Sequence, residues 1–460
     1  MADPHAQRPD CRVAYLVSAF PAVSHTFIAR ELDALRARGV DVVTMSIRKT
    51  PADQLLSDAD RRAAEETFSV FPLQKARFVA AHLRAVAMRP RWYLATLRLA
   101  LQMSAGGMRA NLWQVFYFAE SILVWSQCRR RDVRHIHAHF ANVASAVALL
   151  AAEFGRRDGF RWSFTMHGYT EFDEVRRYAL AEKAGRAAFV ACISDFCRSQ
   201  LLKLVEADCW DKLVVVRCGL DPNEVRSLPR RAQASPAPSS DAALRLLFVG
   251  RLVSEKGVLV LLRALGQLRR RGVEVEAVLV GDGPYRGALE QAAKQLGVEG
   301  QLTFTGALTG ARLAPLYRQA DVFCLPSFAE GLPVVLMEAM ANELPVITSR
   351  LAGIAELVDD GVNGLLLPPG RDDVIAEALE RLAADPELRA QWGRAGRERV
   401  LHDYDLGRSA ALLESLFTSR GAGACGADSA APGHGPQQQE MVVSSAQRSV
   451  QGNRRSRLLG

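Results

Sequence analysis

Apolar runs of strand length alternate with segments of helical spacing along most of the chain. The run CRVAYLVS (11–18) is followed by HTFIARELDALRARG (25–39), where apolar residues recur at helical spacing, and then by the run VDVVTMSI (40–47). Strands separated by single helices are typical of a parallel sheet, because a parallel connection needs a crossover. The runs RHIHAHF, FRWSFTMHG, AAFVACIS and DKLVVVRCG continue the series to about residue 220. This pattern predicts a doubly wound α/β domain.

A second series of the same kind begins at LRLLFVGRL (244–252) and continues through VEAVLVGDG, QLTFTG, ADVFCLPS, LPVITS and NGLLLPP. Between the two series lies a stretch rich in Pro, Ser and Ala, which indicates a linker. We therefore predict two Rossmann-like domains that face each other across a cleft. The expected boundaries are a flexible N-terminus at 1–10, a first domain at 11–226, a linker at 227–242, a second domain at 243–400, a closing helix at 401–418 that packs back toward the first domain, and a disordered tail at 419–460.

Composition and length agree with a soluble protein of more than one domain. The chain has 460 residues, of which 49% are hydrophobic and 23% charged. It contains no uncharged apolar run of about 20 residues, and its first residues lack the basic and apolar order of a secretory signal. The eight cysteines are scattered, without CxxC pairs or zinc-ligand spacing, which favours reduced thiols. These features predict a cytoplasmic protein.

The segment 73–131 fits neither series of strands and helices. It contains ten Lys or Arg residues against a single acid, Glu120, and eight aromatic residues are interleaved with them. Basic helices with aromatic residues are suited to contact with an anionic membrane surface. The alternative is an insertion that packs on the domain and exposes a solvated charged face. The net charge of +8 also favours phosphorylated substrates, whereas no motif for nucleic-acid recognition is present.

Candidate chemistry follows the strands of the second domain. In GRLVSEKG, Arg251 and Lys256 come directly after a predicted strand, between Gly250 and Gly257. Ligands of α/β proteins bind at the carboxyl ends of strands, and two cations there suit a diphosphate. The spacing is not that of a Walker A loop. Alternatively, both residues are solvated surface charges.

The stretch EGLPVVLMEAMA (330–341) combines a helix suited to a core with two carboxylates. Gly331 permits close backbone approach, Pro333 suits a first helical turn, and free amides at a helix start bind anions. Glu330 is placed to accept hydrogen bonds from sugar hydroxyls, and Glu338 from ribose hydroxyls. Alternatively, Glu330 is an acid favoured by the helix dipole and Glu338 a satisfied buried acid. A glycosidase pair would need carboxyl groups across one bond, which this spacing does not favour.

These motifs together resemble the donor domain of family 4 retaining glycosyltransferases, which have the GT-B fold. The similarity rests on FVGRLVSEKG, GDGP, FTGAL, ADVFCLPSFAEGLPVVLMEAMANELPVITS and GIAELVDDGVNGLLLPPG. In the first domain, SAFPAVSHTFIARELDALRARG, HIHAHFA and TMHGYTEF resemble members that build exopolysaccharides of the colanic-acid type. The resemblance covers most of residues 11–417.

The resemblance implies roles for residues of the second domain. It implies that Arg251 and Lys256 bind the diphosphate of the donor and neutralise the leaving group. Glu330 would contact the donor sugar, and the amides near Gly331 and Leu332 the phosphate. Glu338 would hold the ribose. The glycines of GDGP, Gly281 and Gly283, would lie in a turn near the base. Glu343 stands where the family often has Gly, in an expected surface turn.

In the first domain the resemblance implies that His167 faces the donor sugar from across the cleft. His139 either lines the acceptor side or supports the end of its strand, while His135 and His137 are expected to be structural. Many members of the family have adjacent glycines in the first loop, but here that loop is SAFPAVSHTF. Ser24 or nearby amides would then have to contact the phosphate.

The implied reaction is transfer of a sugar from a nucleotide diphosphate donor to a saccharide acceptor, with retention of the anomeric configuration. We expect no cofactor and no metal site, since no DxD-type pair follows a comparable strand. The expected acceptor is a saccharide or a polyprenyl-diphosphate-linked saccharide. The expected location is the cytoplasm, with peripheral binding to the inner face of the plasma membrane as the alternative. The alternatives are a nucleotide-sugar epimerase and a non-catalytic nucleotide-sugar-binding scaffold. A dinucleotide oxidoreductase is disfavoured because no G-x-G-x-x-G follows the first strand.

Overall fold

The computed structural model describes residues 11–22, 25–168, 170–229 and 243–419. The expectations for the N-terminus at 1–10, for Ser24, for most of the linker and for the tail after residue 419 lie outside the described residues.

Two parallel sheets form the framework, one in each half of the chain. The first contains Arg12–Ala19 (β1), Asp41–Arg48 (β2), Phe68–Phe71 (β3), His135–His139 (β4), Arg161–Met166 (β5), Val190–Cys192 (β6) and Leu213–Val215 (β7). The second contains Leu244–Val249 (β8), Val275–Val280 (β9), Leu302–Gly306 (β10), Val322–Leu325 (β11), Val346–Ser349 (β12) and Gly364–Leu367 (β13). Their orders are β3-β2-β1-β4-β5-β6-β7 and β10-β9-β8-β11-β12-β13. The predicted pair of Rossmann-like domains is confirmed.

Helices connect the strands and cover the sheets. They are Thr26–Ala37 (α1), Asp58–Glu66 (α2), Lys75–Met88 (α3), Pro90–Gln102 (α4), Met108–Arg130 (α5), Val143–Gly155 (α6), Thr170–Asp173 (α7), Val175–Tyr178 (α8), Leu180–Arg186 (α9), Asp195–Leu202 (α10), Pro222–Ser227 (α11), Val258–Arg270 (α12), Arg286–Leu296 (α13), Ala314–Gln319 (α14), Val334–Ala341 (α15), Ile354–Leu357 (α16), Asp372–Ala384 (α17), Pro386–Asp403 (α18) and Leu406–Ser419 (α19). Among these described helices, none combines the length and the apolar character that crossing a bilayer requires.

The two sheets share one topology, which fixes where a ligand can bind. In each sheet the strand order reverses beside the first strand of the half, at β1 and β4 in the first and at β8 and β11 in the second. The loops that follow these strands open at the carboxyl edge, where α/β proteins bind ligands. The central strands are almost wholly buried, so the edges that carry these loops are held firmly by the cores.

The described part of the chain returns to the first half after residue 403. At the crossing, the Leu220 amide donates to the Tyr404 carbonyl (3.0 Å) and the Leu406 amide to the Leu220 carbonyl (3.0 Å). Helix α19 then packs on α1, where Arg38 Nε lies 2.7 Å from Glu414 Oε2. Phe417 completes the contact by packing its ring edge-on against Tyr15 of β1. The last helix therefore belongs to the core of the first half.

The basic segment forms the three helices α3, α4 and α5, which pack on one another and on α6. Its one acid, Glu120, is buried in α5, and burial raises the pKa of this carboxyl to about 7.

Position 343 corrects the expectation of a surface turn. Glu343 is buried, with φ +57, the left-handed region that favours Gly. A Cβ on Gly393 would lie 2.0 Å from the Glu343 carbonyl oxygen, so α18 packs directly on this backbone. The carboxylate lies 3.9 Å from the buried Arg397 guanidinium, an ion pair that a Gly at 343 could not form.

Candidate active site

The centre of the site in the second half is an ion pair between Lys256 and Glu330. Lys256 follows β8, and its Nζ lies 2.5 Å from Glu330 Oε1. Ser327 Oγ donates to the same oxygen at 2.6 Å. The loop reaches this position because Gly257 has φ +64 and packs on the next loop, where a Cβ would lie 2.1 Å from the Pro326 carbonyl oxygen. The structure thus brings together two residues that the sequence places 74 positions apart.

Gly331 joins this ion pair to the first half of the molecule. A Cβ on Gly331 would lie 2.2 Å from the carbonyl oxygen of His167 and 3.1 Å from the Ile193 side chain. The loop after β11 therefore rests on the loop after β5, with no room for a side chain between them. This contact brings the backbone of His167 next to the residue that follows Glu330 in the chain.

Helix α15 begins one residue later than the sequence indicates. Pro333 is the residue before the helix, with ψ 115, and the first helical residue is Val334. The expectation that Pro333 occupies the first helical turn is wrong by one position. Leu332 is buried and contributes to the core cluster. The side chain of Leu332 therefore anchors the loop in the core.

Glu338 has two partners in this structure. Arg30 Nη2, on α1 of the first half, lies 2.8 Å from Glu338 Oε1. The Tyr317 hydroxyl donates to Glu338 Oε2 at 3.0 Å. Burial, together with the Glu338 charge, raises the pKa of Tyr317 well above its usual value, which keeps the hydroxyl a donor. A ribose that binds Glu338 must therefore share or displace these partners.

Arg251 and the glycines of GDGP flank the ion pair. Arg251 is exposed and forms no ion pair within the part of the chain that the structure describes. A Cβ on Gly281 would lie 1.8 Å from the Gly250 carbonyl oxygen, and one on Gly283 would lie 2.4 Å from that of Leu252. These glycines are needed because the turn packs against the Arg251 loop, a reason that the sequence did not indicate.

The first half presents a buried group of histidines and phenylalanines. His139 Nδ1 and His167 Nε2 lie 2.9 Å apart, and both rings are buried. The Phe27 ring packs on His167 with centroids 4.7 Å apart, and the Phe140 ring at 4.8 Å. Burial, with the neighbouring His139 and His25, lowers the pKa of His167 well below its ordinary value. His167 is therefore a neutral imidazole at physiological pH.

Glu31 extends this group and was not identified from the sequence. Its carboxylate Oε1 lies 3.4 Å from His139 Nε2 and accepts the Tyr15 hydroxyl at 2.8 Å. With the proton of His139 on Nε2 toward this carboxylate, Nδ1 of His139 accepts from Nε2–H of His167. His167 Nδ1 is then left as an acceptor. The sequence offered one signal for Glu31: an acidic residue stands beside Leu32 and Ile28 on the face of α1 that its spacing predicts to be buried.

The neighbouring histidines of β4, His135 and His137, form hydrogen bonds to side chains of the adjacent strand β5. His135 Nε2 and His137 Nδ1 each lie 2.7 Å from Ser163 Oγ, and His137 Nε2 lies 2.9 Å from Thr165 Oγ1. Among the described residues, Glu31, His137 and His139 have ligand atoms within 4.8 Å of one another, a spacing that can hold a metal ion. As the site stands, hydrogen bonds engage both ring nitrogens of His137 and the carboxylate of Glu31.

A second contact between the halves was also missed from the sequence. The two carboxylate oxygens of Glu356, on α16, accept the backbone N–H groups of Asp195 (2.9 Å) and Phe196 (2.7 Å) at the start of α10. Arg217 Nη2 lies 3.4 Å from the same carboxylate. Glu356 thus caps a helix of the opposite half, where the helix dipole favours a negative charge.

Comparisons with known proteins agree with this geometry. The family profile described as "Glycosyl transferases group 1" matches residues 231–399. The chain is 27% identical to the putative colanic acid biosynthesis glycosyltransferase WcaL of Escherichia coli, over 88% of this chain and 100% of that protein. It is 33% identical to the phosphatidyl-myo-inositol mannosyltransferase of Mycolicibacterium smegmatis, over 64% of this chain and 72% of that protein. Matches to several other curated relatives are shorter and span 40% to 65% of their length.

Solved structures share the fold. A crystal structure of Anabaena Alr3699/HepE in complex with UDP and glucose superposes with a TM-score of 0.65 at 18% identity, over 88% of this chain and 99% of that one. At this identity the similarity concerns the fold alone, which is GT-B. The sequence similarity to the mannosyltransferase extends over most of that protein, and the profile covers the half that holds Lys256 and Glu330. The chain therefore belongs to the glycosyl transferases group 1 family.

Proposed function

We propose that this glycosyltransferase moves a sugar from a nucleotide diphosphate donor to a saccharide acceptor with retention of the anomeric configuration. The observation that carries the proposal is that the loops carrying Lys256 and Glu330 and the loop carrying His167 lie in contact. Two of these residues come from loops of the second half and one from the first, at the carboxyl edges of both sheets. Such a site holds a donor on one side and an acceptor on the other.

The second half stabilises the leaving diphosphate. As the bond between the sugar C1 and the diphosphate oxygen breaks, negative charge grows on that oxygen. Lys256, Arg251 and the amides at the start of α15 meet this charge, which they stabilise more in the transition state than in the ground state. In the resting protein Lys256 is neutralised by Glu330, and the donor releases Lys256 to the phosphate while Glu330 turns to the sugar hydroxyls.

Retention follows from attack on the face that the diphosphate leaves. The acceptor oxygen forms its bond to C1 on that face, and the acceptor proton passes to a diphosphate oxygen. This route uses no covalent enzyme intermediate, and none of the side chains placed at the site acts as a nucleophile. We propose that these cations and amides suffice without a divalent metal, so that a chelator leaves the rate unchanged.

His167 orients the donor sugar from the opposite side. Its neutral ring accepts a sugar hydroxyl through Nδ1, because Nε2 is committed to His139. Glu31 acts through His139 as a positioning residue that fixes the tautomer of His167. Glu338 binds the ribose after Arg30 leaves its carboxylate. Gly281 and Gly283 shape the loop beneath the nucleotide. His139 supports the His167 ring from inside the first half. A contact of Ser24 with the acceptor stays a prediction for a residue outside the described part of the chain.

The acceptor is a lipid-linked saccharide, and the enzyme works as a peripheral protein on the cytoplasmic face of the plasma membrane, in the synthesis of a surface glycan. Two relatives support this: one is named for colanic acid biosynthesis and another for transfer to phosphatidyl-myo-inositol. A lipid-linked acceptor also requires an enzyme that reaches the bilayer surface.

The test is a purified-protein assay with a panel of UDP- and GDP-sugars. Thermal shift identifies the donor, because a ligand of the native state raises apparent stability. Release of nucleoside diphosphate that depends on an acceptor supports transfer, and the anomeric coupling in the product NMR spectrum reports retention. An altered sugar formed without acceptor would indicate an epimerase, and binding without release would indicate a scaffold. Loss of activity with a chelator would overturn metal independence.

A further inference from the structure

The positive charge of the chain is concentrated in one place. The whole chain has 58 Lys and Arg against 50 Asp and Glu, and the segment 73–131 contributes ten of these bases and one of these acids. The remainder is close to neutral. Within the described residues, only Arg89 of these ten bases forms an ion pair, with Asp158. The helices α3 to α5 therefore present a surplus of positive charge that no carboxylate of the described residues neutralises, apart from Asp158 at Arg89.

The same helices expose apolar side chains to an unusual degree. Of the twenty large hydrophobic side chains that are exposed in the described part of the chain, eleven lie between Val79 and Phe116. On α3 they recur at helical spacing as Val79, Leu83 and Val86, opposite a buried face. Leu83 is 67% exposed, Leu94 on α4 is 65% exposed, and Met108 at the start of α5 is 89% exposed. Such a concentration of exposed apolar side chains on neighbouring helices is typical of an interaction surface.

Three of the arginines border one open cleft at the end of this surface. Arg84 of α3 and the consecutive Arg129 and Arg130 of α5 line it, together with Met88, Trp125 and Ser126. Arg129 is held over the Trp125 ring, 5.2 Å from its centroid. None of these three guanidinium groups forms an ion pair with a carboxylate that the structure describes. The cleft is suited to a phosphate group, which arginine binds through two parallel hydrogen bonds.

We propose that the outer faces of α3, α4 and the first turns of α5 form an interfacial membrane-binding surface, with an anionic lipid headgroup in the cleft of Arg84, Arg129 and Arg130. The charge selects the occupant: unpaired cations beside exposed leucines fit a bilayer with anionic headgroups above acyl chains. A protein partner or a second copy would need a matching acidic surface, and the rest of this chain is nearly neutral. The binding does not depend on the proposed reaction.

The test is co-sedimentation of the full-length protein with vesicles. Vesicles of phosphatidylcholine alone are compared with vesicles containing about one-third phosphatidylglycerol, at low salt and at about 0.5 M salt. The triple variant Arg84→Gln, Arg129→Gln, Arg130→Gln should partition about 100-fold more weakly into the anionic vesicles. The matched control is Arg263→Gln, Arg269→Gln, Arg270→Gln on α12, which removes the same charge from exposed positions elsewhere. Leu83→Ser with Leu94→Ser tests the apolar part.

Three results together support the proposal: binding requires phosphatidylglycerol, it falls with salt, and it is lost in the α3–α5 variants but not in the control. No sedimentation of the wild type at low salt overturns it, as does equal loss in the control. Sedimentation velocity distinguishes a second copy: dimers that Leu83→Ser with Leu94→Ser dissociates, without vesicle binding, also overturn it. Circular dichroism checks that the variants fold, and nucleotide release with a soluble acceptor, expected unchanged in all of them, separates this result from the fate of the proposed reaction.

Discussion

The two edges that meet at the cleft differ in their electrostatics. The edge of the second half holds formal charges in pairs, with Lys256 on Glu330 and Glu338 on Arg30. The edge of the first half holds a neutral imidazole, His167, with the rings of His139, Phe27 and Phe140 packed around it. In the proposed reaction, the charged edge exchanges partners when an anionic donor arrives. The neutral edge is already arranged, and Glu31 lies beneath it, 3.4 Å from His139 Nε2.

This difference indicates a division of tasks. Stabilising a diphosphate requires charge that is strong in a site from which water is excluded. Orienting a sugar hydroxyl requires a fixed acceptor without net charge, which a buried imidazole supplies. The four predictions below test each edge in turn, from the largest expected effect to the smallest.

The first prediction concerns the stability of the neutral edge. Burial lowers the pKa of His25 to about 4 and of His135 to about 3, and it lowers the pKa of His137 and His167 well below the usual value. Because the unfolded state binds a proton at each histidine at about pH 6.5 and the folded state does not, the free energy of unfolding falls as the pH drops below this value. Between pH 7 and 5 each histidine costs about 2 kcal/mol. Urea unfolding at several pH values should show a loss of several kcal/mol.

Glu120 provides the control, since its folded pKa of about 7 has the opposite effect. Because the folded state binds this proton more readily than the unfolded state, lowering the pH from 7 to 5 raises the free energy of unfolding by roughly 2 kcal/mol at this residue. Glu120→Gln should therefore steepen the loss at low pH, and His135→Gln should make it shallower. A stability that does not change between pH 7 and 5 would show that these histidines are hydrated.

The second prediction concerns the charged edge. Lys256→Ala removes a cation from the leaving group, and turnover should fall about 100- to 1000-fold. The donor affinity should change less, because the cation acts on charge that develops in the transition state. Steady-state release of nucleoside diphosphate measures both. Lys294→Ala, at an exposed position of α13, is the matched control and should behave as wild type. Equal turnover in the two variants would remove Lys256 from the mechanism.

The third prediction separates positioning from packing at the neutral edge. Glu31→Leu should lower turnover about tenfold by releasing the tautomer of His167, an effect on the order of 1.4 kcal/mol. ¹⁵N shifts of His167, assigned through His167→Asn, should move from the Nε2–H form toward a mixture of tautomers. Tyr15→Phe removes the hydrogen bond that Glu31 accepts from Tyr15 and should leave these shifts in place. Unchanged shifts in Glu31→Leu would reduce Glu31 to a packing role.

The fourth prediction concerns Arg30, which occupies Glu338 in this structure. If the ribose displaces this partner, Arg30→Ala should tighten nucleotide binding by about two- to fivefold, since a partly exposed ion pair contributes less than about 1 kcal/mol. Isothermal titration with the donor found by thermal shift measures the change. Arg36→Ala, further along α1 with its nearest acid on the same helix, is the control. Weaker binding in Arg30→Ala would instead make Arg30 a ligand contact.

The sequence predicted most of the strands and helices, but it predicted few of the contacts between distant residues. Alternating runs identified every strand of both sheets except the short β3. Local motifs identified the loops after β5, β8 and β11, because the strand end and the candidate residue are adjacent in the chain. Partners from distant segments were missed, since no local pattern connects Arg30 with Glu338 or Glu356 with α10. Glu343 shows the same limit: its turn was recognised, but its burial depends on α18, which packs from a later part of the chain.

The contact between Gly331 and the His167 carbonyl has a consequence for engineering. This contact depends on both halves. A methyl group added at Gly331 would push the loop after β11 away from the loop after β5. Chimeras that exchange the halves of related enzymes should therefore keep both loops from the same parent. If the two loops come from different parents, each half of the chimera should fold, but the two halves would not hold the substrates in the correct relative position.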